Sequence, residues 1–184
     1  EALEAAQLRL GIVIKENHES VPAGAVLGQE PEPGAQVHAG TEINLYISRG
    51  PAPYGIPMGS IEELQRIGAD PDYPLDAHYY LSNDINASGT AFWNDGAGFQ
   101  PIGVSGPDEE AVPFTGGFDG QGYAITGLTI NRPAESYVGL FGAIGKEGIV
   151  FNLRIVNGKI KGHDNTGSLA GYSEGQIASC HVAG

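Results

Sequence analysis

The sequence predicts two folds in series. A small α+β domain, one helix on a three-stranded sheet, is followed by a right-handed parallel β-helix, an all-β solenoid with a short N-terminal helix. Three observations carry this expectation. The composition holds 29 Gly and 12 Pro in 184 residues, a turn-heavy usage that favours many short strands over helices. The run "RGPAPYGIPMGS" (49–60) has three prolines and three glycines and reads as an extended junction. Beyond it the texture turns glycine-rich, with 19 of the glycines in residues 96–184, and short apolar segments recur with a period of about 25 residues, as in a solenoid. The limits that follow are 1–51 for the first domain, 52–59 for the linker and 60–184 for the β-helix.

In the first domain, "EALEAAQLRLG" sets Leu3, Ala6 and Leu10 at helical spacing and meets a stop signal at Gly11. "GIVIKE" then alternates as a strand. "AGAVLGQEP" supplies a second strand, "EPGAQVHAG" a turn, and "TEINLYIS" a third strand with Ile43, Leu45 and Ile47 on one face. Pro31, Pro33 and Gly34 set a rigid turn, and Gly24 permits a positive φ. Some 50 residues is near the lower limit for a domain that folds alone.

These residues resemble a PASTA domain. The helix and Gly-containing turn, then "VPAGAVLGQEPEPGAQV" and "INLYISRGP", match that family's signature at Gly24, Gln29, Pro31, Pro33, Gly34 and Gly50. PASTA domains open with a strand before the helix, whereas this chain begins inside the helix, so the expectation is a piece of a longer protein. The resemblance implies a peptidoglycan or muropeptide ligand, or a spacer role. A muropeptide stem carries carboxylates, and the domain's cations are Arg9, Lys15 and Arg49. Arg49, at the end of the last strand and beside the junction, is the candidate ligand-binding residue, set against a solvated strand-end charge.

After the junction, "SIEELQRIG" reads as a short helix with Ser60 as N-cap and Glu63 completing a capping box. Three later pieces, "YAITGLTI", "IVFNLRIV" and "QIASCHVA", align with Leu128, Leu153 and Cys180 in one column and Ile130, Ile155 and Val182 in the next. Residues two apart share a strand face, so both columns point inward. "VGLFG" (138–142) recurs as "TGSLAG" (166–171) with one extra residue. The L-x-x-L-x-L spacing of leucine-rich repeats is missing, so a parallel β-helix is the better reading.

The stretch "GGFDGQG" (116–122) tests for phosphate binding. Its glycines Gly117, Gly120 and Gly122 run in the reverse of the dinucleotide-binding order, and Tyr123 stands where a P-loop needs Lys. The stretch reads as a corner, with Phe114 and Phe118 plugging the core and Asp119 accepting backbone hydrogen bonds.

The second half is similar to the GLUG-repeat family of β-helical surface proteins. "GLFG" and "SLAG" match that family's core motif. The segment from "LSNDINASG" through "PFTGGFDGQGYAITGLTI" matches the stretch that often precedes such repeats. Some GLUG-bearing proteins are large IgA1-protease-type metallopeptidases, but their H-E-x-x-H zinc motif is missing here: His18 and Glu19 are followed by Ser20, Val21 and Pro22.

The net charge of −13 excludes a basic face for nucleic acid. The sequence has no apolar run of roughly 18 residues, which excludes membrane insertion. Residues 54–120 hold eleven acidic side chains and one basic one, Arg66, read as a solvated acidic surface. Calcium at Asp70, Asp72 and Asp76 is the alternative, against which Pro71, Pro74 and Leu75 break the loop pattern. The acids Glu135, Glu147, Asp164 and Glu174 occupy no common repeat position, so paired-carboxylate catalysis has no visible site. Cys180, the single cysteine, sits on the predicted inward face as a small hydrophobe. "NAS" (86–88) is a glycosylation acceptor pattern.

The expectation is therefore a non-enzymatic fragment of an exported bacterial cell-surface protein, extracellular, with no cofactor. Its expected partners are peptidoglycan, muropeptide or a surface glycan, with weak self-association through the open end of the β-helix. The alternatives are a non-catalytic part of a carbohydrate-active β-helix enzyme or of an IgA1-protease-type metallopeptidase.

Overall fold

The structure, a computed structural model, describes residues 3, 6–104 and 111–184. Its contacts form two compact units, Glu1–Pro53 and Tyr54–Gly184.

The first unit is a three-stranded sheet of β1 (Arg9–Glu16), β2 (Val26–Glu30) and β3 (Glu42–Ser48). β3 lies in the middle, parallel to β1 and antiparallel to β2. The expected N-terminal helix falls largely on residues 1, 2, 4 and 5, outside the described residues. Its C-terminal half is corrected: Ala6 and Gln7 form a turn, while Leu10 and Gly11 belong to β1. The pairing of Arg9 with Glu42 and Leu10 with Ile43 outweighs the helical spacing, because a paired strand satisfies its backbone through the partner strand. Ile12 N–H is met by the Asn44 side chain at 2.8 Å. Ser48 is buried and joins segments, donating to Val21 O at 2.7 Å and accepting from Gly50 N at 2.9 Å. Gly24 and Gly34 both sit at φ +86, as turn positions require.

The second unit is a β-solenoid. Short strands follow one another around each coil, and each named strand pairs in parallel with its counterpart one coil on. One sheet stacks β4 (Ile56–Met58), β5 (His78–Leu81), β7 (Gly117–Asp119), β11 (Ile149–Phe151) and β15 (Gln176–Ala178). A second stacks β6 (Ile85–Asn86), β8 (Ala124–Thr126), β12 (Arg154–Val156) and β16 (His181–Ala183). β9 (Thr129–Asn131) pairs with β13 (Lys159–Lys161), and β10 (Phe141–Ile144) with β14 (Ala170–Ser173). This parallel stacking needs no hairpins, so each strand can be only two to four residues long and still complete its ladder.

The inward columns are Tyr79–Phe118–Val150–Ile177 and Ile85–Ile125–Ile155–Val182. Each is buried through its first three members. Its last is partly open, Ile177 at 43% and Val182 at 49% exposure. The helix Ile61–Arg66 follows β4, the end strand of the first sheet, and buries Ile61 and Leu64 in the same core as Met58 and Leu81. Ser60 caps it by accepting from Glu63 N at 3.2 Å, as expected. Glu63 returns its carboxylate to Gly59 N at 2.6 Å, one residue earlier than a standard capping box.

The proposed repeat register is half right. Leu153 and Cys180 do correspond, since Arg154 and His181, which follow them, are partners. Val138 pairs with Thr166 and Phe141 with Ala170, so "VGLFG" and "TGSLAG" stack with the one-residue offset seen in the sequence. Leu128 and Ile130 do not join those columns. Ile155 stacks on Ile125, and Ile130 on Ile160. "YAITGLTI" is two strands, β8 and β9, hinged at Gly127 with φ +75. Both halves carry apolar residues at strand spacing, so alternation alone cannot choose between them; the stacking of the coil does.

"GGFDGQG" is half strand and half corner. Phe118 lies in β7, fully buried and edge-on to Phe141 at 5.5 Å. The corner follows, with Gln121 and Gly122 at φ +52 and +77. Asp119 accepts from Gln121 N at 2.8 Å. Gly120 has no positive φ, but a Cβ there would collide with the Leu153 backbone of the next coil. The corresponding corners of later coils use Asn152 at φ +55 and Ser179 at φ +52.

Candidate functional site

Arg49 follows β3 and is exposed, its backbone N–H donating to Glu16 O at 2.8 Å. That bond anchors the main chain and leaves the guanidinium at the surface. Lys15, in β1, pairs with Ile47 and is also exposed.

In the segment 70–76, Asp70 is already engaged. It forms an ion pair with Arg66 at 2.8 Å and accepts from Asp72 N at 2.9 Å. Those two contacts, the Asp72 backbone first, hold its carboxyl below the usual carboxylate range. The Arg66 guanidinium also lies 4.1 Å over the Tyr73 ring. The arrangement closes a turn after the helix. Among the described residues no group of three or more His, Cys, Asp or Glu is placed to hold a metal.

The acids of the later coils lie at corners that stack from one coil to the next: Glu147 and Glu174 both fall between the paired strands β10/β14 and β11/β15, and Glu135 O accepts from His163 N at 2.7 Å beside Asp164. Glu135 pairs with Arg132 at 2.9 Å, Asp164 with His163 at 2.9 Å, and Glu174 accepts from the Tyr172 hydroxyl at 3.2 Å. Cys180 is half-buried, with its thiol directed to the Ala178 and Val150 carbonyls at 3.3 and 3.8 Å.

One feature of the solenoid's outer surface was not visible in the sequence. A groove of about 330 Å³ runs along β10 and β14, lined by Pro113, Tyr137, Ile144, Tyr172 and Glu174 among others. The Tyr137 and Tyr172 rings meet edge-to-face, 6.1 Å apart and at 89°. Glu174 beside it raises the pKa of the Tyr172 phenol, by charge and by hydrogen bond. The two tyrosines do not occupy equivalent repeat positions: Tyr137 precedes Val138, which pairs with Thr166, whereas Tyr172 pairs with Ala143. A search for a recurring aromatic column therefore misses them. The available signal was that each flanks a copy of the "VGLFG"/"TGSLAG" unit.

Residues 1–49 match the PASTA domain. That match covers the three-stranded sheet and Arg49 at the end of its middle strand. Over 167 residues the chain is 34% identical to halomucin of Haloquadratum walsbyi, covering 90% of this chain and 2% of that protein. It is 38% identical over 109 residues to a putative Gly-rich membrane protein of Evansella cellulosilytica, covering 57% of this chain and 12% of that protein. The chain thus spans a small fraction of the length of these relatives. No solved structure matches it.

Proposed function

We propose that the chain is a segment of a non-enzymatic, extracellular cell-surface protein of bacterial type. In this reading the PASTA module associates with the cell wall or spaces the protein from it. A right-handed β-helix of the GLUG-repeat type then presents surface for adhesion. The observation that carries the reading is the PASTA match over residues 1–49, continuous in one chain with a solenoid packed solid with side chains. A filled interior leaves only outer surfaces for contact. The names of the two relatives, a halomucin and a Gly-rich membrane protein, accord with a surface location. The reading requires no cofactor.

Wall recognition is assigned to residues 1–51, with Arg49 receiving a carboxylate of the muropeptide stem. The test is a two-dimensional NMR titration of the 184-residue chain with a soluble muropeptide. Shifts confined to residues 1–51 and lost in Arg49→Ala support the assignment. A spectrum unmoved at saturating ligand removes recognition and leaves the PASTA module as a spacer.

A further inference from the structure

We propose that the groove along β10 and β14 is a carbohydrate subsite that takes a neutral pyranose ring of a glycan. Four observations lead there. The groove, about 330 Å³, is at the small end of ligand pockets, which run from roughly 300 to 1,000 Å³, a size suited to one sugar unit. Its walls include Tyr137 and Tyr172, whose perpendicular rings present a face and an edge together. Aromatic faces of this kind bind the apolar C–H side of a pyranose, while the phenol and a neighbouring carboxylate bind its hydroxyls. Glu174 is that carboxylate, held by the Tyr172 hydroxyl at 3.2 Å through Oε1. Vicinal sugar hydroxyls are donors of the right spacing for such an acceptor.

The fourth observation is the backbone of Tyr137, at φ +61. A bulky residue is a rarity in that conformation. The equivalent corner one coil later holds Asn165 at φ +52, a residue type that tolerates it. Tyr137 gains nothing in return from the core: it is half-buried and lies outside the apolar cluster, as does Tyr172. Backbone N–H groups hold the corner in place, Tyr137 N donating to Asp164 O and Val138 N to Asn165 O, both at 3.0 Å. A strained aromatic that packs no core and faces a groove is a recognition feature. Glu174 is the one charged side chain among the described residues that line the groove, which selects against uronic acids and other anionic sugars.

The proposal deepens the surface-protein reading by naming a ligand class for the solenoid. It does not depend on Arg49 or on muropeptide, so the two fail separately. The test uses the 184-residue chain with neutral trisaccharides of glucose (α-1,4 and β-1,4 linked) and of N-acetylglucosamine, and a galacturonic acid trimer as the anionic control. Binding is read by saturation-transfer NMR and calorimetry. The expected result is weak binding of at least one neutral trimer, lowered about tenfold or more by Tyr172→Ala and by Glu174→Ala. Tyr172→Phe, which keeps the ring, should retain most of it, and Arg49→Ala should change nothing. Tyr172 and Glu174 are exposed, so these variants fold, and circular dichroism checks that they do. The proposal is overturned if no neutral trimer binds, if Tyr172→Ala binds as the parent does, or if the uronic acid trimer binds more tightly.

Discussion

The two units bury apolar surface in opposite ways. In the first, Ile43 is the one buried hydrophobic side chain among the described residues, while Leu10 and Ile12 on β1 are 55% and 66% exposed. In the second, twenty-two buried residues among those described form one continuous cluster. A three-stranded sheet of some 50 residues has too little volume to hide both faces of its strands. A solenoid faces no such limit, because each coil covers the one before it and every added rung buries another inward row. Stability should therefore be sensitive to single side chains in the solenoid and tolerant of them in the sheet.

The largest expected effect is at Leu153, fully buried between the first two sheets of the solenoid. Leu153→Ala should cost roughly 2–5 kcal/mol in chemical denaturation of the whole chain. A loss below about 0.5 kcal/mol, the scale of an ordinary surface change, would mean that the coil interior collapses around the cavity. Next is Gly120, where a Cβ would strike the Leu153 backbone. Gly120→Ala should cost about 1–3 kcal/mol by overpacking, although the residue has no positive φ to lose. An unchanged midpoint would show that neighbouring coils can slide apart.

A smaller effect appears at high pH. Tyr79 is buried, and burial, with smaller contributions from Asp76 and Tyr73, pushes its phenol up to about 12. Its hydroxyl donates to Pro74 O at 2.7 Å. Because the folded value lies above the unfolded one near 10, the stabilisation is fully present below pH 10 and fades as pH rises towards 12. Ultraviolet titration should show Tyr79 ionising last, later than the raised Tyr172, and Tyr79→Phe should lose that last component and about 1 kcal/mol. Titration of every tyrosine together near pH 10 would contradict the placement. The smallest effect belongs to the first unit, where Ile12→Ser should stay within about 0.5 kcal/mol. A large loss there would erase the contrast between the units, and would show that something covers the outer face of β1.

How much of this could be read in advance differs from element to element. The Ser60 cap was legible because capping is a local pattern of side chain and spacing. The three strands of the first unit were legible from alternation, except that β1 starts at Arg9, inside a stretch whose spacing reads as helix. There a long-range pairing with β3 overrode a local preference. In the solenoid, "VGLFG" over "TGSLAG" was legible because glycine positions recur. Placing Ile130 over Ile155 failed because a three-residue strand carries too little pattern to identify its neighbour. The Tyr137–Tyr172 groove was illegible for a related reason: its parts come from different positions of successive coils.

By itself the sequence determined that the second half would be a stack of short strands, since glycine-rich corners and recurring apolar pairs leave few other ways to bury that many small hydrophobic steps. It also determined where the chain must turn, at glycines and asparagines that accept a positive φ. Only the tertiary structure decided which strand lies on which. That choice is set by how many residues each corner absorbs, and corners absorb different numbers: 120–123 in one coil faces 152–153 in the next, with the strands on both sides still paired. Ile125 under Ile155, Leu128 opposite no leucine, and two tyrosines meeting across a groove are all consequences of corner length. Corner length becomes meaningful only when the coil closes on itself, because the ladder of backbone hydrogen bonds between coils accepts just one register at a time.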